Sequence, residues 1–207
     1  MDIMNFLRSR RSIRKYTDEP VPAEQVQLLL EAGRLAPSRA NSQPWRFVVV
    51  TDPYIKRQLY EAVYCQRLVH EAPLLIVVLG VIDPRRTVPP RTRELVDVGC
   101  FDEEVKDFAD HVLDDWTRAD LKADAALNSA IAATHIMLAA HGLGLGCCWI
   151  KLCMDDRVLE VLEVPSDYYH AGILAIGYPA ESPAPRPRLP LTELVFDRQQ
   201  EKAPVSG

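Results

Sequence analysis

Two short basic segments carry the side chains of this sequence that are best suited to binding a phosphate. One lies near the start and the other between prolines near the end, and together they comprise Arg10, Arg11, Ser12, Arg14, Arg186 and Arg188. Guanidinium groups form paired hydrogen bonds with phosphate oxygens, and a serine hydroxyl can complete such a cradle. Proline stiffens the second segment, so its arginines can be presented at low entropic cost. Taken alone, each segment is explained more simply as solvated basic surface.

A polar loop over residues 36–45 is a second candidate for a small-molecule site. It reads A-P-S-R-A-N-S-Q-P-W, with two prolines and a tryptophan beside the hydrogen-bonding side chains of Asn41, Ser42 and Gln43. Binding residues are common on loops that a rigid scaffold positions, and proline restricts this loop. An ordinary polar loop is the alternative interpretation.

The sequence indicates neither a dinucleotide-binding motif nor a metal site. The glycine run Gly142–Gly146 follows a predicted helix and precedes a predicted strand, which is the reverse of a dinucleotide fingerprint. We interpret these glycines as a helix stop and a close backbone approach to a flat ligand. The five cysteines and five histidines lack the spacing of metal ligands, so no metal site is expected.

Composition predicts one globular domain over residues 1–207. Hydrophobic residues make up 48% of the 207 residues and charged residues 26%, which is ordinary for a packed domain. The formal charge of −5 argues against general binding to nucleic acid or to an anionic membrane. With neither a long apolar run nor a signal-peptide pattern, a cytoplasmic protein with reduced cysteines is expected.

Helices and strands alternate in the predicted secondary structure, which indicates a layered α/β protein. Helices are predicted near residues 1–10, 22–35, 53–69, 123–141 and 155–162, and strands at 45–50, 73–82, 147–150, 171–177 and 194–196. Residues 84–122 are expected to form an irregular insertion, and residues 179–207 an extended C-terminal arm. The helix at 123–141 is apolar on most faces, which predicts that it lies in a core or a subunit interface.

Taken together, these segments resemble the FMN-dependent nitroreductase family over nearly the whole chain. The motifs, in chain order, are R-R-S-I-R-K-Y, A-P-S-x-x-N-S-Q-P-W-x-F, E-A-P before an apolar strand, L-A-A-H-G-L-G-L-G-C-C-W-I, and G-Y-P-A with R-x-R-L-P. Each motif is weak to moderate alone, but five in the family's order are specific. The resemblance implies an α+β three-layer sandwich, with a central mixed sheet flanked by helices, in an intertwined homodimer with FMN at the interface.

The resemblance also implies roles for the basic segments. Contacts to the FMN phosphate and ribityl chain are implied for Arg10, Arg11, Ser12, Arg186 and Arg188. Arg14 matches a basic residue beside flavin N1 and O2, where a cation stabilises the negative charge of the reduced ring.

Two further segments match family contacts to the flavin ring. Pro37, Ser38 and Arg39 match a loop that the second subunit places against the ring, and Asn41 matches an amide near its polar edge. The stretch Trp149, Ile150 and Lys151 matches the segment whose backbone N–H faces flavin N5. The family usually has glycine soon after the tryptophan, whereas Lys151 and Leu152 stand here, so the N5 donor stays open.

The implied activity is ping-pong reduction of nitroaromatics, quinones or similar flat acceptors by NAD(P)H, with no side chain assigned as general acid. A specialised branch of the family, a flavin destructase or reductive dehalogenase, is an alternative, as is a flavin-binding protein without turnover. The acidic stretch 94–116 is either a lid whose Phe101, Phe108 and Trp116 include substrate contacts, or a solvated helix pair that packs those aromatic rings in the core.

Overall fold

The computed structural model describes residues 2–105, 111 and 113–195 of the chain. The helices in this part are α1 (Ile3–Ser9), α2 (Ala23–Arg34), α3 (Pro53–Ala62), α4 (Arg67–Glu71), α5 (Val88–Asp97), α6 (Arg118–Gly142), α7 (Asp155–Val161) and α8 (Leu191–Leu194). The strands are β1 (Trp45–Val50), β2 (Leu74–Val81), β3 (Gly146–Ile150) and β4 (Tyr168–Gly177). None of the described helices combines the length and apolar character that crossing a bilayer requires.

The four strands form one sheet in the order β1-β2-β4-β3, and every neighbouring pair is antiparallel. Parallel pairing among the described residues is restricted to an isolated bridge between Ser12 and Cys147 at the β3 edge. The alternation of helices and strands along a sequence does not fix strand direction. The resemblance implied a mixed sheet, whereas the four described strands pair antiparallel throughout.

Helices cover both faces of the sheet, which confirms the three-layer α+β architecture. On one face α2 and α6 pack Leu29 and Ile136 against Ile76 of β2. On the other face α3, α4 and α7 pack residues such as Leu59 and Val158 against the sheet. Every residue of β2 is buried, as its uninterrupted apolar sequence predicts for a strand that is covered twice.

The long helix α6 begins and ends with recognisable caps. Thr117 and Asp120 form a capping box at its start. At its end Gly144 has a φ of 76°, and the Leu145 N–H donates to Ala140 O at 2.8 Å. This left-handed closure satisfies the last carbonyl groups and turns the chain into β3, so the prediction of a glycine helix stop is confirmed.

A bulge in β4 changes which side chains face α7. The register against β2 shifts between Val78 and Leu79, where Gly172 takes a φ of 144°. A Cβ at Gly172 would lie 2.0 Å from Trp149 Nε1, so only glycine fits beneath this indole. The indole Nε1–H of Trp149 donates to the Ala171 carbonyl at 3.2 Å.

Three predicted elements differ from the structure. The helix expected at 53–69 is divided into α3 and α4, because Tyr64 and Cys65 adopt positive φ values of 54° and 58°. The irregular stretch 84–122 contains the ten-residue helix α5. The strand expected at 194–196 is wrong, since Leu194 ends the short helix α8 and Phe196 lies outside the described residues.

Candidate cofactor site

The two basic segments come together in one cleft, which we call the basic cleft. Its volume is about 610 Å³, and it is lined by Leu7, Arg8, Arg10, Arg11, Ser12, Arg14, Pro183, Ala184, Pro185, Arg186 and Arg188. Six of these residues are arginines and none carries a carboxylate. A cleft of this charge is suited to an anion with several oxygens, such as a phosphate monoester.

Backbone pairing between the two ends of the chain builds the cleft. The Ile13 N–H donates to the Cys147 carbonyl at 3.2 Å, and the Thr17 N–H donates to the Tyr178 carbonyl at 2.9 Å. The Arg14 N–H donates to Glu181 Oε1 at 2.6 Å. The N-terminal segment therefore runs between the β3 edge and the beginning of the arm, and the arm continues along it with its prolines and arginines.

The arginines of the basic cleft are not equivalent. The Arg11 guanidinium donates to three backbone carbonyls, those of Arg8, Arg10 and Pro183, at 2.6, 2.9 and 3.3 Å. It therefore ties the arm to the N-terminal segment. In contrast, Arg10 Nη1 is buried with no hydrogen-bond partner among the described residues. A buried guanidinium N–H without an acceptor is costly, and an anion oxygen in the cleft would satisfy it.

Strand β3 lies beside the same arginines. Burial raises the pKa of Cys148 in this strand, and the positive charges of Arg14 and Arg10 counteract the rise. The strand continues to Trp149, Ile150 and Lys151, so this predicted segment starts next to the basic cleft. The Ile150 side chain is buried in the core, which leaves its backbone as the part able to face a ligand.

The second predicted segment, residues 37–41, lies in another part of the fold. The Arg39 N–H donates to Asn128 Oδ1 at 2.9 Å, and its guanidinium binds Asp124 at 2.8 Å. Both partners lie in the first half of α6, whereas His141 at its other end lines a pocket beside Arg10. Thirteen residues of helix separate Asn128 from His141, which corresponds to about 20 Å. Within one protomer, Pro37, Ser38, Arg39 and Asn41 are thus remote from the basic cleft.

The loop that carries these residues is locally strained. Ala40, Asn41 and Gln43 have positive φ values of 46°, 51° and 45°, a region that costs non-glycine residues free energy. The Ser38 hydroxyl accepts a hydrogen bond from the Gln43 N–H at 3.0 Å, which holds the turn. Strain of this kind is concentrated at binding loops.

Of the three aromatic residues proposed for a lid, two are described. The Arg39 guanidinium carbon lies over Trp116, 5.0 Å from the centre of the tryptophan ring. Trp116 therefore adjoins the strained loop. Phe101 is exposed. Phe108 lies outside the described residues.

Comparison with known proteins identifies the family. Residues 7–178 match the family described as the nitroreductase family. The chain belongs to the nitroreductase family. It is 34% identical over 201 residues to a protein of Thermus thermophilus named NADH dehydrogenase, covering 96% of this chain and 97% of that protein. It is 30% identical over 191 residues to an FMN reductase [NAD(P)H] of Bacillus subtilis, covering 91% of this chain and 70% of that one.

Solved structures of nitroreductases share the fold. A nitroreductase-type protein of Exiguobacterium sibiricum in complex with FMN superimposes with a TM-score of 0.84 at 26% identity, covering 96% of this chain and 98% of the other. A nitroreductase family protein of Streptococcus pneumoniae gives a TM-score of 0.81 at 27% identity, covering 95% and 100%. These matches confirm the family and the fold class that the sequence motifs predicted.

Titratable groups around the cleft of this nitroreductase are held in hydrogen bonds. The Tyr16 hydroxyl lies 2.6 and 2.8 Å from the carbonyl oxygens of Ile13 and Ala175, between which it can share its single donor hydrogen, and burial raises its pKa strongly. The Lys151 ammonium donates to Asp155 at 2.6 Å. Both side chains are thus held in place by hydrogen bonds within the chain.

The nitroreductase fold brings together further residues, near the basic cleft and beside β4, that the sequence did not indicate. Glu181 and His141 line a pocket of about 280 Å³ that adjoins the basic cleft, and the Ser9 hydroxyl is 2.8 Å from His141 Nε2. A cluster of Cys153, Asp155 and His170 also forms where the β3–α7 connection meets β4. The spacing C-x-D is the only local signal for this cluster, because His170 reaches it from another strand.

The cluster has perturbed pKa values with clear causes. Burial lowers the pKa of His170, and the hydrogen bond to Asp155 offsets only part of this effect. Burial would raise the pKa of Asp155, but hydrogen bonds from Lys151 and His170 outweigh it and lower the pKa. Burial and the neighbouring Asp155 raise the pKa of Cys153 to about 12, which makes this thiol a poor free nucleophile.

Proposed function

We propose that this protein is an FMN-dependent oxidoreductase that uses NAD(P)H to reduce nitroaromatics, quinones or similar flat acceptors. The observation that supports this proposal most directly is the basic cleft, in which the buried Arg10 Nη1 has no hydrogen-bond acceptor among the described residues. Family membership, an FMN reductase among the relatives and an FMN complex among the structural neighbours support the enzyme class and the cofactor. When bound, FMN supplies the two-electron chemistry.

The chain's own residues bind and orient the cofactor. Arg10 holds the phosphate, because its Nη1 is buried without a hydrogen-bond partner among the described residues, and Arg186 lines the same cleft from the arm. Ser12 and Arg188 complete this end, and Arg11 keeps the arm in place. Arg14 supplies positive charge toward the ring, and the backbone of Trp149–Lys151 provides the hydrogen bond at its edge.

The site is shared between two copies in a homodimer. The loop 37–41 is about 20 Å from the basic cleft along α6, so it reaches a flavin there only from a second copy. Helices α1 and α8 bury none of their residues in the protomer. Large apolar side chains are exposed on α1, α2, α6 and the arm, among them Ile3, Leu7, Leu28, Leu127, Leu191 and Leu194. A second copy that covers these residues would complete the core.

Absorption spectroscopy of the protein purified without added cofactor tests the flavin assignment. We expect a yellow protein whose flavin band bleaches when NADH or NADPH is added anaerobically, and recovers with a quinone. A protein that is colourless and binds no added FMN would refute the proposal. A flavin that bleaches but passes no electrons to quinones or nitroaromatics would favour a specialised branch.

Steady-state kinetics tests the ping-pong order. Because donor and acceptor use the same face of the cofactor in turn, double-reciprocal plots at several acceptor concentrations should be parallel. Intersecting lines would show that both substrates bind together and would contradict this part of the proposal.

Mixing two impaired variants tests the shared site, at an FMN concentration that fills the wild-type site and leaves the Arg10→Met site largely empty. Arg10→Met damages the phosphate end, and Asn41→Tyr places a bulky side chain on the exposed loop. In a mixed dimer, one of the two sites receives both wild-type halves, so random exchange restores about a quarter of the sites. Activity that stays absent after exchange, although mixed dimers are detected, would contradict a site built from two copies.

A further inference from the structure

Three side chains of different metal-binding types converge on the face of the sheet that α7 covers. Cys153 Sγ lies 3.6 Å from His170 Nδ1 and 3.3 Å from Asp155 Oδ1, and Asp155 Oδ1 lies 2.9 Å from His170 Nδ1. Cys153 precedes α7, Asp155 opens that helix, and His170 belongs to β4. The cluster thus joins the β3–α7 connection to β4.

The bulge in β4 gives His170 its orientation. Tyr168, Ile173 and Ala175 all pack in the core between the sheet and α7, whereas Ala171 and Leu174 pack on the opposite face. Strict alternation would place residue 170 on the same face as residue 174. The extra residue at 171–172 instead keeps His170 on the α7 side, beside Cys153 and Asp155. Bulges commonly re-aim side chains at functional sites.

The mutual distances correspond to a tetrahedral metal site. Zinc binds thiolate at about 2.3 Å and imidazole nitrogen or carboxylate oxygen at about 2.0–2.2 Å, so tetrahedral ligands lie about 3.3–3.6 Å apart. The two distances from Cys153 Sγ already fall in this range. The carboxylate and the imidazole would need to separate by about 0.4 Å, a shift that a half-exposed side chain can make.

We propose that Cys153, Asp155 and His170 form a zinc(II) site, with an exchangeable water as the fourth ligand. His170 Nδ1 is the ligating nitrogen, because it is the ring nitrogen that contacts both Cys153 Sγ and Asp155 Oδ1. The side chain of Asp155 is 43% exposed, so an ion can enter from solvent. Thiolate, carboxylate and imidazole are the ligand types that zinc prefers.

Lys151 modulates the proposed site through Asp155. Its ammonium contacts both carboxylate oxygens, at 2.6 Å from Oδ1 and 2.7 Å from Oδ2, and it competes with a cation for Oδ1. With zinc on Oδ1, Lys151 keeps Oδ2. Because the ammonium repels a dication, Lys151→Met should tighten zinc binding, the opposite sign from loss of a ligand.

Zinc titration of the full-length, tag-free protein tests the proposal, with FMN bound if the protein carries it. Isothermal titration calorimetry should show one ion per chain, and X-ray absorption should show one sulfur at about 2.3 Å and lighter ligands near 2.0–2.1 Å. Cys153→Ser and His170→Gln should each weaken binding by at least about tenfold. The matched controls Cys65→Ser and His111→Gln, both at exposed positions, should bind as the wild type does.

Several results would overturn the zinc site. These are no measurable binding by the wild type, a sulfur-free coordination shell, or unchanged affinity in Cys153→Ser, which would mean an adventitious ion elsewhere. If His170→Gln does not fold, as judged by circular dichroism, Cys153→Ser decides the question, since it exchanges one small half-buried side chain for another. Metal binding and FMN binding are measured separately, so failure of one leaves the other intact.

Discussion

Replacing Arg10 with methionine should separate binding of the FMN phosphate from binding of the ring. Methionine keeps the length of an apolar stem and removes the charge. Arg10 is the arginine whose Nη1 is buried without an acceptor, so in the complex it would gain a charge-assisted hydrogen bond. Such bonds contribute about 1.5–3 kcal/mol, which corresponds to a loss of FMN affinity of about 10- to 150-fold.

The same substitution should have the opposite sign in the protein without cofactor. Removing a buried N–H that lacks a partner relieves a desolvation penalty, and it also reduces repulsion among six arginines. We therefore expect the cofactor-free variant to be as stable as the wild type, or more stable by about 1 kcal/mol. The increase in melting temperature that FMN produces should shrink, because stabilisation by a ligand follows its affinity.

Fluorescence titration with FMN and with riboflavin, which lacks the phosphate, is the decisive assay. Arg10→Met should weaken FMN binding and leave riboflavin binding unchanged. Arg157→Met serves as the control, because it removes one exposed positive charge on α7 and should affect neither ligand. Equal weakening of both ligands, or no weakening of FMN, would refute the assignment of Arg10 to the phosphate.

Three further substitutions test the scaffold and the lid. Gly172→Ala would place a Cβ 2.0 Å from Trp149 Nε1 at a φ of 144°, so urea unfolding should show a loss of at least about 3 kcal/mol, and a loss below about 1 kcal/mol would contradict the packing. Thr117→Ala removes the capping box of α6 and should lower the melting temperature by about 2–4 °C. Hydrogen bonds from the Thr117 side chain and backbone lower the pKa of Asp120 below its usual 3.8, so the wild-type cap contributes above that pH and is lost as the pH falls further. The variant keeps the backbone N–H and should therefore show a smaller acid dependence. Trp116→Ala should change the ratio of kcat/KM between a small and a large quinone if the acidic stretch is a lid, whereas an effect on melting temperature alone would exclude that role.

Most of the helices and strands could be predicted from local sequence, because each contains a clear pattern of apolar residues or a clear stop signal. The strand Trp45–Val50 was predicted with the bounds that the structure shows, and the apolar run around β2 predicted a strand buried on both faces. The helix stop at Gly144 followed from the glycine run. Predictions failed where one conformation depends on distant contacts, as at Tyr64 and Cys65, which divide a helix, and at Leu194, which belongs to a helical turn.

At the basic cleft, too, the sequence predicted some features and the fold decided others. The types of the arginines and their flanking prolines indicated a phosphate ligand, and the order of the motifs indicated the family. Which arginine is free to bind was decided by the fold alone, because Arg11 is occupied by carbonyl groups contributed from both ends of the chain. The fold also leaves Arg10 Nη1 buried without a carbonyl partner among the described residues.

By itself, the sequence determined the family, the three layers and the residue types of the phosphate site, since these depend on local pattern and on motif order. Tertiary structure decided the antiparallel pairing of the sheet and the separation of the loop at 37–41 from the cleft along α6. It also decided the meeting of Cys153 and Asp155 with His170, which the C-x-D spacing alone does not predict. The physical reason is that these three features depend on contacts between segments far apart in sequence, including a one-residue bulge in β4 that sets which face His170 occupies.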